Sequence, residues 1–339
     1  TKNVKDSNRG GRPGHAEHFA PPWEHGFDVC FSTEAKVPTW DPMRKPVPAS
    51  KRHWNHLKPG DRWEEYGTRY WRGPETPVAD NLDGDDSKII MDRAVNFVRT
   101  STRDAKPFLA VIWFHAPHWP VVAGPKHTAL YPEGSDHEKN YFGCISALDE
   151  QVGRLRTELN RLGVADNSLI WFCSDNGPEG KAGDTGRTGG LRGRKRSLYE
   201  GGIRVPGLLV WPRIVKSPKT VTMPCSTSDI LPTVVEVSGE NLDPHGRPLD
   251  GISLLPSIIG TEQVRDQPIG FRHGQQQALI GQRYKLYRRK PGGTAELYDI
   301  PNDPAEKSDL AERYPDLTGR MIKQLEQWVD SCQSSNQGG

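Results

Sequence analysis

Three apolar runs and two amphipathic stretches organise the middle of the chain. Phe108-Leu109-Ala110-Val111-Ile112-Trp113-Phe114 is continuously apolar and opens into His115-Ala116-Pro117-His118-Trp119-Pro120. A short, unbroken run of this kind predicts a strand covered on both faces. Ser168-Leu169-Ile170-Trp171-Phe172-Cys173 predicts a second, and Gly207-Leu208-Leu209-Val210-Trp211 a third. Between the first two, Tyr141, Ile145, Leu148, Val152, Leu155, Leu159 and Leu162 recur at alternating steps of four and three, with charged residues on the other face. That stripe predicts a long helix closed by Gly163. Upstream, Asp85-Asp86-Ser87 predicts the N-cap of a helix carrying Ile89, Ile90, Ala94, Phe97 and Val98, ended by Lys106-Pro107. A strand–helix–strand order predicts a parallel crossover. In such sheets ligands gather at the carboxyl ends of the strands.

The flanks read differently. Residues 1–80 mix Gly, Pro, His, Trp and charge without a sustained period, which predicts irregular chain lying on a scaffold supplied elsewhere. Ser228-Asp229-Ile230-Leu231-Pro232 predicts a capped helix start. After about residue 260 the pattern changes: 278–287 predicts two short antiparallel strands around a turn, Glu296–Ile300 another strand, and 316–331 an amphipathic helix on Leu317, Met321, Ile322, Leu325 and Trp328. The predicted division is a main α/β domain over 1–260, a small C-terminal subdomain over 261–331, and a disordered tail over 332–339.

Composition narrows the function classes. With 35 Gly and 29 Pro in 339 residues, the chain is loop-rich and not a helical bundle. A net charge of +2 argues against a dedicated nucleic-acid binder, though not against a local anion pocket. No apolar run is long enough to span a membrane. Thr1-Lys2-Asn3-Val4-Lys5-Asp6 holds neither an initiator Met nor a signal-peptide core, which predicts an N-terminally truncated sequence. Among Cys30, Cys144, Cys173, Cys225 and Cys332 no CxxC pair occurs, so a zinc ribbon is not expected. Cys144 and Cys173 sit in apolar stretches and are expected to be small core residues.

Candidate chemistry lies at the ends of the apolar runs. Asp175 and Asn176 place a carboxylate beside an amide oxygen, hard ligands suited to Ca²⁺ or Mg²⁺. Asp-Asn-Gly is also ordinary turn chemistry. His115 and His118 leave the first run, where an imidazole can protonate a leaving group or cap a loop. The glycine-rich loop 183–196 ends in Leu191-Arg192-Gly193-Arg194-Lys195-Arg196. Backbone amides and cationic side chains there suit an oxyanion, and a mobile basic surface loop has the same composition. No Walker pattern is present.

Taken in order, Pro117-His118-Trp119-Pro120, Ser174-Asp175-Asn176-Gly177, Leu191-Arg192-Gly193-Arg194-Lys195 and Tyr199-Glu200-Gly201-Gly202-Ile203-Arg204-Val205-Pro206 resemble the sulfatases of the alkaline-phosphatase-like superfamily, including the arylsulfatases and N-acetylgalactosamine-6-sulfatases. Gly26-Phe27-Asp28, Glu296-Leu297-Tyr298-Asp299 and Asn302-Asp303-Pro304 extend the likeness from about residue 20 to 312. The resemblance implies a largely parallel central sheet sandwiched by helices, with a small C-terminal α+β subdomain. It implies sulfuric ester hydrolysis of a sulfated carbohydrate or aryl sulfate by a formylglycine nucleophile and a divalent metal, Ca²⁺ ahead of Mg²⁺. Asp175 and Asn176 would be metal ligands, and His118 and Lys195 catalytic. His115 and Arg194 are secondary candidates for substrate binding. A periplasmic or secreted location goes with the family.

One departure is sharp. The family nucleophile stands in Cys/Ser-x-Pro/Ala-x-Arg, and no Cys or Ser of this sequence fits that pattern. Lys51-Arg52-His53 has the family's Lys-x-His spacing but follows Gly26 where it should precede it. The expectation is a sulfatase whose nucleophile lies outside these residues and a 339-residue chain inactive by itself. Two alternatives remain open: a phosphoester hydrolase of the same superfamily, and a non-catalytic, anion- or glycan-binding pseudo-sulfatase.

Overall fold

Asp85 starts the first long helix as its sequence predicts. In the computed structural model its side chain accepts from the Lys88 amide, capping a helix over Asp86–Arg103. Residues 21–181, 183–241, 249–261 and 263–336 are described. They fall into two compact units, Thr1–Asp166 and Asn167–Gly339. The boundary expected at residue 260 therefore lies inside the second unit.

In the first unit, residues expected to be irregular form short pairings. Strands β1 (Ser32–Thr33), β2 (Arg44–Pro46), β3 (Trp63–Glu65), β4 (Tyr70–Gly73) and β5 (Thr76–Pro77) make a β1-β4-β5 sheet and a β2-β3 pair, all antiparallel. Helix α1 (Asp86–Arg103) follows, then the short α2 (Pro125–Thr128) and the long α3 (Asp136–Arg161). Ser135 and Glu138 close a reciprocal capping box on α3, satisfying two amides that the first turn leaves unpaired. Gly163 ends it with φ +73°, the left-handed conformation glycine adopts without penalty. The apolar stripe of α3 meets its partners at Cys144, Tyr141 and Leu148, which pack with Ala116, Val121 and Trp119. Charged pairs tie α3 to α1: Arg154 Nη1 lies 2.6 Å from Asp92, and Arg99 grips Glu158 through two bonds.

The predicted first strand departs from expectation. Phe108–Phe114 has no sheet partner among the described residues, and Trp113 is 85% exposed. A run of apolar side chains states a demand for cover. It does not supply the neighbouring backbone that makes a strand.

The second unit begins with β6 (Ile170–Cys173), followed by α4 (Glu200–Ile203) and β7 (Gly207–Val210). β6 and β7 pair antiparallel, Ile170 opposite Val210 and Cys173 opposite Gly207. Among the described residues the sheet neighbour of β6 is thus antiparallel, where a parallel neighbour was expected. Cys173 is half-buried where Cys144 is fully enclosed. Helices α5 (Ile230–Ser238) and α6 (Leu255–Ile259) precede β8 (Ile269–His273), a strand the sequence reading missed. β9 (Gln276–Ile280), β10 (Tyr284–Arg288) and β11 (Ala295–Asp299) complete an antiparallel sheet in the order β11-β10-β9-β8. Helix α7 (Pro315–Asn336) covers it, packing Met321, Leu325 and Val329 on Leu279, Leu286 and Leu297. The expected disordered tail is helical through Asn336, and residues 337–339 lie outside the described residues. Among the described residues no helix is long and apolar enough to cross a membrane.

Candidate active site

β6 delivers Ser174-Asp175-Asn176-Gly177 at its carboxyl end. The turn is held locally: the Asn176 amide donates to Asp175 Oδ1 at 2.9 Å, and Ser174 Oγ donates to the Asn176 carbonyl at 3.2 Å. Asp175 is exposed and Asn176 half-buried. Gly177 is the fixed point, buried, its amide donating to Gly202 O at 2.9 Å. A Cβ on Gly177 would stand 2.0 Å from Gly201 O, so only glycine permits this approach.

Lys195 joins the same assembly. Its amide donates to Pro178 O at 3.1 Å, which pins the end of the basic loop to the residue after the turn. Its ammonium, about one-fifth exposed, lies 3.9 Å from Glu179 Oε2. Arg196 holds Glu179 more closely, at 2.5 Å. That bond, with the Lys195 charge, keeps the Glu179 carboxyl below its ordinary range despite desolvation. Arg194 has a different job. Its guanidinium donates to the Gly186, Glu179 and Thr185 carbonyls and shapes the loop.

Within the first unit, His118 Nδ1 lies 2.7 Å from Trp119 O. A carbonyl only accepts, so Nδ1 carries the proton and Nε2 is the basic nitrogen of the neutral ring. His115 is committed elsewhere: Nδ1 is 2.9 Å from Asp86 Oδ2 and Nε2 is 3.0 Å from Thr33 Oγ1. Asp86 is buried and also receives the Tyr70 hydroxyl. Desolvation, then the Asp86 charge, pushes that phenol well above its ordinary value. His115 is therefore bound on both ring nitrogens by β1 and α1.

A hard cation would find the right kind of donor at Asp175 and Asn176. Their number falls short of the roughly six to eight oxygens that Ca²⁺ takes. Among the described residues no group of three or more His, Cys, Asp or Glu is placed to hold a metal ion. Sequence reasoning did not single out the charges of Glu200, Lys285 and Glu306, which are buried and in contact with one another. Glu200 falls within the Tyr199–Pro206 motif, but nothing in the local sequence marks Lys285 or Glu306 as buried, since charged residues usually face solvent.

The geometry places Asp175, Asn176 and Lys195 in one backbone-locked assembly of an α/β chain. Residues 12–240 match the sequence profile described as Sulfatase. A "Sulfatase" of Formosa agariphila is 29% identical over 279 residues, covering 70% of this chain and 49% of that protein. Rat "Steryl-sulfatase" is 33% identical over 186 residues, covering 53% and 31%. The crystal structure of Ps i-CgsB superposes with a TM-score of 0.76 at 26% identity, covering 94% of this chain and 70% of that one. It has also been solved in complex with k-i-k-neocarrahexaose. The chain belongs to the sulfatase family, with its alkaline-phosphatase-like α/β fold. It spans half or less of the length of these two curated relatives.

Proposed function

We propose that this chain is part of a sulfuric ester hydrolase that releases sulfate from a sulfated carbohydrate or an aryl sulfate. The observation that carries the reading is the joint anchoring of the Asp175–Asn176 turn and Lys195 through Gly177, Pro178 and Gly202, in the order of the family motifs. A relative solved with an oligosaccharide favours the carbohydrate side. A periplasmic or secreted location accords with the family.

The roles follow from chemistry. Lys195 supplies a fixed positive charge to a sulfate oxygen, where charge grows as the ester bond breaks. His118, with Nδ1–H held by Trp119 O, would act in its protonated form, passing the Nε2 proton to the oxygen of the leaving alcohol. Asp175 and Asn176 contribute two oxygens to a divalent cation, Ca²⁺ in preference to Mg²⁺. Such a cation polarises a sulfate oxygen when bound. His115 and Arg194 serve as scaffold, because protein partners already occupy them.

The 339 residues contain no Cys or Ser in the nucleophile pattern. They should turn over no aryl sulfate alone, and a protein extended by an in-frame Cys/Ser-x-Pro/Ala-x-Arg segment should. Hydrolysis of 4-nitrophenyl sulfate by both proteins is the test. Turnover by the chain as it stands, or none by an extended protein carrying formylglycine, overturns the reading. The same missing pattern favours a second reading, a non-catalytic, glycan-binding pseudo-sulfatase. Upstream coding sequence without the pattern would support it.

A further inference from the structure

We propose that Lys285 is the positioning residue for the Asp175–Asn176 turn and Lys195, acting through Glu200. The inference rests on the sulfatase reading of those three residues and adds to it a part played from β10.

Lys285 has no exposed side-chain surface. Its ammonium lies 2.9 Å from Glu200 Oε1 and 2.9 Å from Glu306 Oε1. The second oxygen of Glu306 accepts the Glu200 amide at 2.6 Å. Glu306 is thereby fixed to both the backbone and, through Lys285, the side chain of Glu200. Its own backbone takes φ +55°, a left-handed conformation that a non-glycine residue adopts only where its surroundings impose it.

From Glu200 the constraint passes along the backbone. α4 rests against the basic loop so closely that a Cβ on Gly201 would stand 2.3 Å from Gly193 O. Gly201 donates to Arg192 O at 2.7 Å, and Gly202 O receives the Gly177 amide. Arg192 reaches back, donating to Tyr298 Oη at 2.9 Å and to Glu306 O at 3.2 Å, with its guanidinium 3.7 Å over the Tyr199 ring. Glu200 thus sits between the sheet that holds Lys285 and the two segments that carry Asp175, Asn176 and Lys195.

A buried ionic triad is a poor source of stability, because desolvating three charges offsets most of their attraction. The β8–β11 sheet has its own apolar core at Leu279, Leu286, Leu297 and Leu325, packed on the other side from Lys285. What the triad supplies that an apolar cluster does not is a fixed direction and distance for Glu200.

Amide hydrogen exchange on the full 339-residue chain tests this. Two variants are compared with wild type. Lys285→Met removes the cation. Lys285→Met/Glu200→Gln/Glu306→Gln also removes the stranded carboxylates, so that the fold is not lost to unpaired buried charge. In the triple variant, exchange at the Gly177 and Gly201 amides should accelerate at least about tenfold while the β9 and β11 amides keep their protection. Unchanged exchange at Gly177 and Gly201 overturns the proposal. So does a uniform loss of protection across the sheet, which would make Lys285 a general stabiliser. No substrate is involved, so failure here is distinct from failure of the sulfatase reading, which the ester-hydrolysis assay decides.

Discussion

Gly177 donates its amide hydrogen to Gly202 O at 2.9 Å, joining the turn after β6 to the helical turn of α4. The contact tolerates no side chain, since a Cβ at Gly177 meets backbone rather than a movable group. Gly177→Ala should cost about 1–3 kcal/mol through forced backbone separation. Gly207→Ala is the control, since a Cβ there meets nothing within 4 Å. It should stay within about 0.5 kcal/mol of wild type. Urea denaturation of both variants checks the pair, and equal midpoints would refute the close-packing argument.

The helices were legible because their cause is local. The stripe from Tyr141 to Leu162 and the caps at Asp85 and Ser135 are written in consecutive residues, and α1 and α3 appear where those signals stand. The sheets were less legible because pairing is a relation between distant segments. Phe108–Phe114 has the composition of a strand and no sheet partner among the described residues, and β6 found an antiparallel neighbour in β7 where a parallel one was expected. At the candidate site, Asp175, Asn176 and Lys195 could be proposed from motif order. Lys285 could not, because its burial depends on two carboxylates 85 and 21 residues away in sequence.

Arg265 and Asp229 form a second buried pair, with bonds of 2.8 and 2.9 Å and no exposed side-chain surface on either partner. Asp229 also accepts the Ser226 and Ile252 amides, so the pair joins the start of α5 to two loops. Arg265→Met leaves the carboxylate without its cation and should cost about 3–5 kcal/mol. Asp229→Asn added to it removes the stranded charge and should recover part of that loss. A double-mutant cycle by chemical denaturation gives the answer, and strictly additive losses would show that the pair is uncoupled.

Asp85 makes folding pH-dependent in an uncommon direction. Burial first, then the charges of Asp86 and Glu150, raise its carboxyl from 3.8 to about 7, against the pull of the Lys88 and Ser87 amides. The folded chain therefore holds this proton over a range where the unfolded chain has released it. The contribution of this residue to stability should fall as pH rises from about 4 to about 7, by up to about 4 kcal/mol. Asp85→Asn keeps an oxygen for the Lys88 amide and abolishes the titration. The variant should lose less stability than wild type across that window and gain on it above pH 7. Parallel stability–pH curves for the two proteins would sink the assignment.

Calcium binding separates the donor set present from the one the family chemistry requires. Asp175 is exposed, its Oδ1 already accepts the Asn176 amide, and among the described residues no group of three or more His, Cys, Asp or Glu is placed to add to the oxygens of Asp175 and Asn176. Two donors cannot replace the hydration shell of Ca²⁺, so calorimetry on the 339-residue chain should give a Kd on the order of 1 mM or weaker. Asp175→Ala should abolish the remaining heat, and Lys195→Ala should not weaken binding, because an ammonium opposes a cation. In a protein extended to include further carboxylates, the same Asp175→Ala change should lower Ca²⁺ affinity by about 10–100-fold, as loss of one anionic ligand from a complete shell does. Tight, stoichiometric Ca²⁺ binding by the chain as it stands would mean that its own residues complete the site, and the division of ligands argued above would fall.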